Sequence, residues 1–462
     1  MTTLRPYPVY KSASVDWFGE IPASWIDLKL GRIVDRNDSG AWGEDGSNDD
    51  IEVLRSTEQT VDGGWKIVAP ARRALTSRDY AKTRLFAGDI VVTTSSGSAL
   101  HIGKASLVTE SMECHGYSFS NFMQRLRPSE GLSSRFLWYL MNNPVMRDQM
   151  VFLSTTTTGL ANLNGGILNS LSLTLPPLDE QRAIADFLDV ADARITRYIA
   201  AKRRMIALLE EQKQAIINQA VTHGLDPDVP LKPSGVDWLG DIPTHWEVRA
   251  IKHELANLNP RRVPLSSTER GQMNQRSYAY YGASGPIDLV EDFLFDDDLL
   301  LIAEDGANLV MRNLPLAVIA RGKFWVNNHA HILKPKRGSL EYFAHLLETI
   351  DYLPWISGAA QPKLTRDRLM SIQIPVPPTL EQETIVGEIE KLTSGLHNVM
   401  IHSRREVELI KEYRTRLISD VVTGKLDVRG VELPALEDVI DAYLMAAEVA
   451  ESTVTHGGVA IR

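Results

Sequence analysis

The chain has 462 residues, of which 44% are hydrophobic and 23% are charged, and its formal net charge is -10. This length favours two to four domains, and the ordinary globular composition argues against collagen-like and disordered classes. The lone Cys114 excludes an intramolecular disulfide framework, no apolar run approaches the roughly 20 residues of a membrane helix, and the first residues lack the apolar core of a signal peptide, so we predict a cytoplasmic protein.

The first recognisable pattern is VDWFGEIPASW at residues 15–25. It returns as VDWLGDIPTHW at residues 236–246, with both tryptophans of the motif retained. Such self-similarity indicates a repeated structural unit. The four tryptophans of the two boxes are predicted to pack against a helix end: Trp17, Trp25, Trp238 and Trp246.

More matches follow in chain order. AGDIVVTTSSG from residue 87 resembles DDDLLLIAEDG from residue 296, and NFMQRLRP from residue 121 resembles NHAHILKP from residue 328. These short apolar runs bounded by Gly and Asp are typical of strands. The sequence therefore predicts two copies of one mixed unit whose ends are alike and whose middles differ.

Each copy then reaches a double proline, PPLDEQRAI from residue 176 and PPTLEQETI from residue 377. Two prolines stop a strand, and the acidic and amide residues after them suit a helix N-terminus; Thr379 with Gln382 resembles a capping box. Apolar residues then recur every three or four positions for about five heptads, which favours a coiled-coil seam. The predicted seam residues are Ile184, Leu188, Ala191, Ile195, Tyr198, Met205, Leu209, Ile216, Ile385, Ile389, Leu392, Leu396, Val399, Ser403, Glu406, Ile410, Tyr413 and Leu417, with Lys202 and Gln212 at two polar seam positions.

These patterns predict an α+β fold in which two mixed α/β domains are separated by a long antiparallel two-helix coiled coil, with pseudo-two-fold symmetry from the tandem repeat. The predicted segments are a first domain at 1–172, a first helix at 173–222, a linker with the second Trp-Pro box and second domain at 223–372, a second helix at 373–426, and an acidic tail at 427–462. Val439, Ile440, Tyr443, Leu444 and Ala447 give that tail a short amphipathic helix.

The repeated Trp-Pro boxes, SLTLPPLDEQRAIADFL, SIQIPVPPTLEQETIVGEI and VVTGKLDVRG together resemble the DNA-specificity subunit of type I restriction-modification systems. The resemblance covers nearly the whole chain. It implies two target recognition domains, around 26–172 and 247–372, that each read half of a split DNA site. It also implies long helices that set the gap between the half-sites and dock modification subunits, two in our prediction.

The resemblance further implies that this subunit performs no chemistry. The modification subunits would bind S-adenosylmethionine and methylate adenine, and a translocase and nuclease subunit would use ATP and Mg for restriction. No cofactor is expected in this chain. A tail beyond about residue 433 departs from the usual end of the family.

Polar loops between predicted strands supply the candidate DNA contacts, since bases are read by paired donors and acceptors and phosphates by basic side chains. The candidates are Ser95, Ser96, Ser98, His101, Lys104, Tyr280, Tyr281, Ser284, Asn308, Arg312, Arg321, Lys323, Asn327, Asn328, His329, Lys334, Lys336 and Arg337. Solvated loop residues are the plainer interpretation of each. The alternation of His329 and His331 on a predicted strand favours structural histidines.

Catalytic motifs are absent from the sequence: it has no GxxxxGK[ST], HExxH, paired CxxC, GxSxG or NPPY. Two other classes stay open. A stand-alone DNA-binding regulator would bind its site tightly without methylase subunits. A coiled-coil scaffold would show no sequence preference for DNA. The difference between the middle parts of its two copies would then have no functional meaning.

Overall fold

A computed structural model describes residues 4–45, 50–96, 101–154, 163–358 and 361–434. The chain forms two compact units: unit 1 contains Met1–Ala201 and Glu406–Arg462, and unit 2 contains Lys202–Arg405. Ser98 and the predicted tail helix lie outside the described residues.

The elements up to the end of the first long helix are, in chain order, β1 (Tyr10–Ser12), β2 (Glu20–Pro22), β3 (Ile26–Lys29), β4 (Val34–Ser39), β5 (Glu44–Asp45), β6 (Ile51–Leu54), β7 (Ala71–Ala74), α1 (Ser77–Thr83), β8 (Ile90–Thr93), β9 (Ala105–Leu107), α2 (Glu110–His115), β10 (Ser118–Phe119), β11 (Met123–Pro128), α3 (Ser134–Met141), α4 (Pro144–Ser154), α5 (Gly165–Ser170), β12 (Ser172–Leu175) and α6 (Leu178–His223).

The later elements are β13 (Leu231–Pro233), β14 (Asp241–Pro243), β15 (Glu247–Ala250), α7 (Ile251–Glu254), β16 (Leu255–Asn257), α8 (Ser267–Gly271), β17 (Tyr278–Gly282), β18 (Gly285–Val290), β19 (Phe295–Asp296), β20 (Leu299–Ala303), α9 (Asn308–Met311), β21 (Ala317–Ala320), β22 (Lys323–Val326), β23 (Ala330–Pro335), α10 (Leu340–Thr349), β24 (Ile356–Ser357), β25 (Lys363–Leu364), α11 (Arg366–Ser371), β26 (Gln373–Val376) and α12 (Thr379–Val422).

Each unit is built on a four-stranded antiparallel sheet with the same topology. The strand order is β4-β11-β8-β9 in unit 1 and β16-β23-β20-β21 in unit 2. A second four-stranded sheet accompanies each main sheet, in the orders β10-β6-β7-β5 and β18-β17-β22-β19. The predicted class, two mixed α/β domains derived from a tandem repeat, is confirmed.

The main sheets pack one face against a short helix. In unit 1 Ile90 and Val92 share a core with Phe136 of α3, and in unit 2 Leu300 and Ile302 share a core with Phe343 of α10. This packing corrects the sequence match of β8 with β20, which placed Ile90 on Leu299. Ile90 corresponds instead to Leu300, because a shift of one residue would turn the strand's apolar side chains to the other face.

The double-proline junction fastens both long helices in the same way. Trp25 and Trp246 are fully buried, and their indole N–H groups donate to Glu180 at 2.9 Å and to Glu381 at 3.0 Å, in the first turns of α6 and α12. The prediction that these two tryptophans pack on a helix end is confirmed. Trp17, by contrast, is 40% exposed.

The glutamine that follows Glu381 does not form the predicted capping box with Thr379. The Gln382 side chain donates to Pro377 O at 3.0 Å and accepts from Ser339 N at 3.0 Å, so it does not return to the backbone of Thr379. Gln181 makes the matching bonds to Pro176 O and from Ser133 N. Each glutamine thus joins the long helix to the residue that caps α3 or α10.

Within each unit, segments of the two long helices run antiparallel. In unit 1 Asp192 pairs with Arg414 and the Tyr198 hydroxyl donates to Glu406, so residue numbers rise along α6 as they fall along α12. In unit 2 Glu210 lies 3.8 Å from Arg404. The seam residues Ile184, Leu188, Ile385, Ile389 and Leu417 are buried, whereas Ile195, Leu209, Ile216, Leu396 and Ile410 are half-buried.

Three residues predicted for the seam of α12 are exposed and do not lie in it. Leu392, Val399 and Tyr413 are 52%, 46% and 45% exposed. Their neighbours Thr393, Met400 and Val407 are buried. Glu406 is half-buried and bonded to Tyr198. Apolar type alone misplaced the seam, because α12 carries apolar residues on more than one face.

Candidate nucleic-acid interface

Three chain segments meet at one end of the main sheet in unit 1. They are the segment after β8 (Thr94–Ser96), the turn before β11 (121–122) and Leu163 before α5. Thr94 N donates to Phe122 O at 2.9 Å, and Leu163 N donates to Thr94 O at 3.0 Å. We call these residues the loop edge of unit 1.

Unit 2 has the same arrangement, with the same two backbone hydrogen bonds. Glu304 N donates to His329 O at 2.9 Å, and Leu364 N donates to Glu304 O at 2.8 Å. The loop edge of unit 2 therefore consists of residues 304–305, 328–329 and 363–364. In both units it is the end at which the central strand, β11 or β23, begins.

The exposed side chains of the unit 1 loop edge are uncharged. Phe122 is 57% exposed, Asn121 is exposed, and Ser95 and Ser96 are half-buried. These side chains offer hydroxyl, amide and aromatic groups. Phe122 was not among the predicted residues, although the NFMQRLRP and NHAHILKP match places it on His329.

The unit 2 loop edge is charged. His329 Nδ1 lies 2.8 Å from Asp305 Oδ1, and Lys363 Nζ lies 3.3 Å from Glu304. Arg262 reaches the same carboxylate at 2.6 Å and also donates to Asn328 O at 3.2 Å and to Ala330 O at 2.8 Å. Hydrogen bonds from Arg262 and Lys363, with the neighbouring charges, hold the pKa of Glu304 below its ordinary value despite the opposing effect of burial. Lys363 and Arg262 were missed because they are distant in sequence from the predicted loops. Asp305 was missed although it lies in the same loop as the predicted Asn308.

Several predicted residues do lie beside this edge. The Asn308 amide donates to Ser284 Oγ at 3.0 Å, and Asn327 Oδ1 accepts from His329 N at 2.8 Å. Asn328 and His329 are exposed, while Asn327 is only 6% exposed. Tyr281 is half-buried against Phe324. Polar side chains from three separate loops are therefore brought together at one end of the sheet.

Two predicted contacts are corrected by burial. The Lys104 ammonium donates to Ser56 O at 2.6 Å and to Gln59 O at 2.8 Å, and desolvation lowers its pKa. Tyr280 is 1% exposed, and its hydroxyl accepts from Leu265 N at 3.1 Å. Both side chains serve the interior of their unit. His101 is half-buried.

The predicted basic residues of unit 2 do not converge on its loop edge. Arg321 follows β21 and pairs with Asp298 at 2.6 Å and Glu341 at 2.7 Å, at the end where β20 begins. Arg337 pairs with Glu254 at 3.2 Å. The remaining contacts are Lys334 with Asp297, Lys336 with Lys252 O, Lys323 with the Phe293 ring, and Arg312 with Ile350 O.

Among the described residues, no group of three or more His, Cys, Asp or Glu side chains is placed to hold a metal ion. In the same part of the chain, no helix has the length and apolar character needed to cross a membrane. The loop edges offer donors, acceptors and aromatic surface on a rigid strand framework, which is the chemistry that reads base edges.

Sequence comparison finds relatives among the specificity subunits of type I restriction enzymes. A putative type I restriction enzyme specificity subunit from Methanocaldococcus jannaschii is 24% identical over 428 residues, which cover 89% of this chain and 96% of the relative. A putative specificity subunit from Haemophilus influenzae is 37% identical over 144 residues, 30% of this chain and 36% of the relative.

A chain from a solved structure of type I R-M system assembly and conformational transition has the same fold. It matches with a TM-score of 0.62 at 16% identity, covering 88% of this chain and 99% of that one. The family model of the type I restriction modification DNA specificity domain matches residues 52–204 and 243–408, one match centred on each copy of the repeat. The chain therefore belongs to the family of type I restriction-modification DNA-specificity subunits.

Proposed function

We propose that this chain is a non-catalytic subunit that reads a two-part, asymmetric DNA site, with one half-site read by each unit. Partner modification subunits, two in number, would bind S-adenosylmethionine and methylate adenine within that site. A translocase and nuclease subunit using ATP and Mg would add restriction. The chain itself would carry no cofactor.

The single observation that carries this proposal is the contrast between the loop edges. Both are built on one strand order and the same two backbone hydrogen bonds, yet they present unlike side chains. Direct readout depends on the donors, acceptors and apolar groups offered to the major groove. Unlike edges on a common framework would therefore select unlike half-sites.

The edge residues suit base contacts of different kinds. Asn121 and Asn328 can each contact adenine in a bidentate manner, and Phe122 can pack on a thymine methyl group. His329 can donate or accept depending on its tautomer, which its contact with Asp305 constrains. Sequence preference would thus differ between units without a change of fold.

Exposed apolar residues on the long helices support the docking of partner proteins. In unit 2, Leu392 and Val399 of α12 are 52% and 46% exposed and stand seven residues apart, on one face of the helix. Exposed apolar surface of this kind is typical of interaction sites. The modification subunits are the partners we assign to it.

The test is an exchange of residues 26–172 for the equivalent segment of a relative with a known methylation motif. Methylated adenines would be mapped across a genome that expresses the hybrid with its modification subunits. One half of the motif should change and the other should persist. A change in both halves would contradict the assignment of one half-site to each unit, and tight, specific binding without modification subunits would favour a stand-alone regulator.

A further inference from the structure

A buried histidine lies directly behind the loop edge of unit 2. His331, on the central strand β23, is 0% exposed. Its Nε2 lies 2.8 Å from Leu364 O, and its Nδ1 lies 2.8 Å from the amide nitrogen of Asn259. Because the carbonyl can only accept and the amide nitrogen can only donate, the ring is neutral and carries its proton on Nε2.

The orientation of the Asn259 amide is fixed by its own second bond. Its Oδ1 accepts from Ile332 N at 2.9 Å, which leaves its nitrogen facing the histidine. The charged groups around the ring are Glu304, at 3.6 Å from Nδ1, and the cations Arg262 and Lys363, which pair with that glutamate. The ring therefore acts as a fixed donor and acceptor between strand β23 and the segment at Leu364.

The equivalent position in unit 1 is Gln124, by the match of NFMQRLRP with NHAHILKP. Gln124 is 8% exposed on the central strand β11, and its amide donates to Asn37 Oδ1 at 2.7 Å. Asn37 in turn donates to Gly165 O at 2.8 Å and to Asn169 Oδ1 at 2.7 Å. This bond series joins the central strand to α5, which directly follows Leu163 of the loop edge.

A buried polar group is costly, so its presence at the same strand position in both units calls for a physical reason. In each unit the hydrogen bonds end on the third segment of the loop edge or on the short helix after it. That segment is also attached to the segment after β8 or β20: by the bond of Leu163 N in unit 1, and in unit 2 by the bond of Leu364 N, the Lys363–Glu304 pair at 3.3 Å and the bond of Gly306 N to Pro362 O at 3.1 Å. Chemically different side chains perform the same task in the two units.

We infer that Gln124 and His331 are positioning residues for base reading, each setting the geometry of its own loop edge without touching DNA. The inference rests on the proposed function. Misplacing a reading group by even a small distance costs hydrogen-bond energy, because these bonds weaken steeply with angle and distance. Loss of the anchor should therefore relax base preference in one half-site.

The experiment compares His331→Asn with His331→Gln in the chain expressed with its modification subunits. The Asn oxygen occupies the place of Nδ1 and keeps the bond from Asn259, whereas the Gln amide nitrogen occupies the place of Nε2 and keeps donation to Leu364 O. Gln124→Met tests unit 1, since it keeps length and volume and removes the amide. The readout is the methylated fraction at sites with one mismatched base.

We expect His331→Asn to lower discrimination by about tenfold in one half-site, in line with the loss of one good base contact. His331→Gln should stay within about twofold of the parent. Gln124→Met should relax the other half-site instead. If both histidine variants relax the same half equally, or neither relaxes it, the positioning inference is overturned.

Tyr342→Phe is the matched control, because the Tyr342 hydroxyl makes a buried bond to Val221 O at 3.1 Å in unit 2, away from the loop edge. It should leave both half-sites unchanged. Relaxation of the His331 half-site by this control would show general destabilisation and overturn the inference. If the parent complex methylates no two-part motif, the proposed function itself is contradicted. If the parent methylates such a motif and the variants leave its base preference unchanged, only the positioning role is contradicted.

Discussion

The two loop edges differ in how they are held. In unit 1 neutral amides link strands β11 and β4 to α5 beside the loop edge, as in the bond of Gln124 to Asn37 at 2.7 Å. In unit 2 charged groups do so, with Glu304 bound by Arg262 at 2.6 Å and by Lys363 at 3.3 Å. The comparison shows that one backbone framework tolerates either solution, provided that each buried polar group finds a partner.

The largest effect should come from Glu304→Gln. Glu304 is 9% exposed, and its loss of charge leaves the guanidinium of Arg262 largely buried without an anionic partner. We expect unit 2 to lose about 3 kcal/mol of unfolding free energy, the lower end for breaking a buried pair. Hydrogen exchange of the β20 and β23 amides would measure it.

The matched control is Asp305→Asn, which removes the carboxylate that pairs with the exposed side chain of His329. Because that partner is exposed, the substitution should cost less than about 1 kcal/mol. Amides of unit 1 should exchange at unchanged rates in both variants. Equal losses for the two variants would contradict the distinction between a carboxylate with a mostly buried partner, Arg262, and one with an exposed partner, His329.

Lys104→Met should produce the next effect, this time in unit 1. The substitution leaves Ser56 O and Gln59 O without their donor, and we expect a loss of about 2 kcal/mol. Chemical denaturation monitored by hydrogen exchange at β8 and β9 would test it, with the exposed Lys66→Met as control. A smaller salt dependence of DNA binding in Lys104→Met would instead support the original phosphate contact.

The pH dependence of stability separates the units further. Burial lowers the pKa of His331, so the folded state binds fewer protons than the unfolded state as pH falls below the ordinary histidine value of about 6.5. Unit 2 should therefore lose stability between about pH 7 and pH 5, whereas Gln124 adds no such term in unit 1.

His345 also has a pKa lowered by burial and adds to the same loss, so the measurement is the difference between the parent and His331→Gln. Hydrogen exchange at β23 across this pH range should show a smaller decline in the variant. An identical decline would mean that the neutral state of His331 does not contribute.

Arg321→Ala should have the smallest effect on stability. Its side chain is 54% exposed and pairs with Asp298 and Glu341, and exposed pairs contribute less than about 1 kcal/mol. The sequence-based prediction of a phosphate contact is tested separately by the salt dependence of DNA binding. Loss of one such contact should reduce the salt slope by about one; an unchanged slope would remove Arg321 from the interface.

Much of the fold could be predicted from the sequence because its elements are repeated. The two Trp-Pro boxes, the double prolines and the long apolar periodicities each appeared twice, so one copy checked the other. The role of the Glu-Gln pair after the prolines could not be predicted from the sequence. Glu180 and Glu381 accept hydrogen bonds from tryptophans more than a hundred residues away in sequence. Only the fold brings those groups together.

The candidate site was readable in part. Asn327, Asn328 and His329 were predicted from loop polarity and lie at or beside the loop edge of unit 2, but their DNA contacts stay a prediction. Lys104 and Tyr280 are polar groups bonded inside their units, which composition does not reveal. Arg262 and Lys363 were missed, since they reach Glu304 from separate segments. The seam of α12 was misplaced at Leu392, because a helix with apolar residues on several faces does not indicate which face is buried.

The sequence by itself determined the duplication, the order of elements and the start of each long helix, because local periodicity, proline and tryptophan boxes act over a few residues. The tertiary structure decided which polar groups are buried, which are paired and which remain exposed at the loop edges. Burial and pairing depend on contacts between residues far apart in the chain, as between His331 and Leu364, and such contacts leave no local pattern.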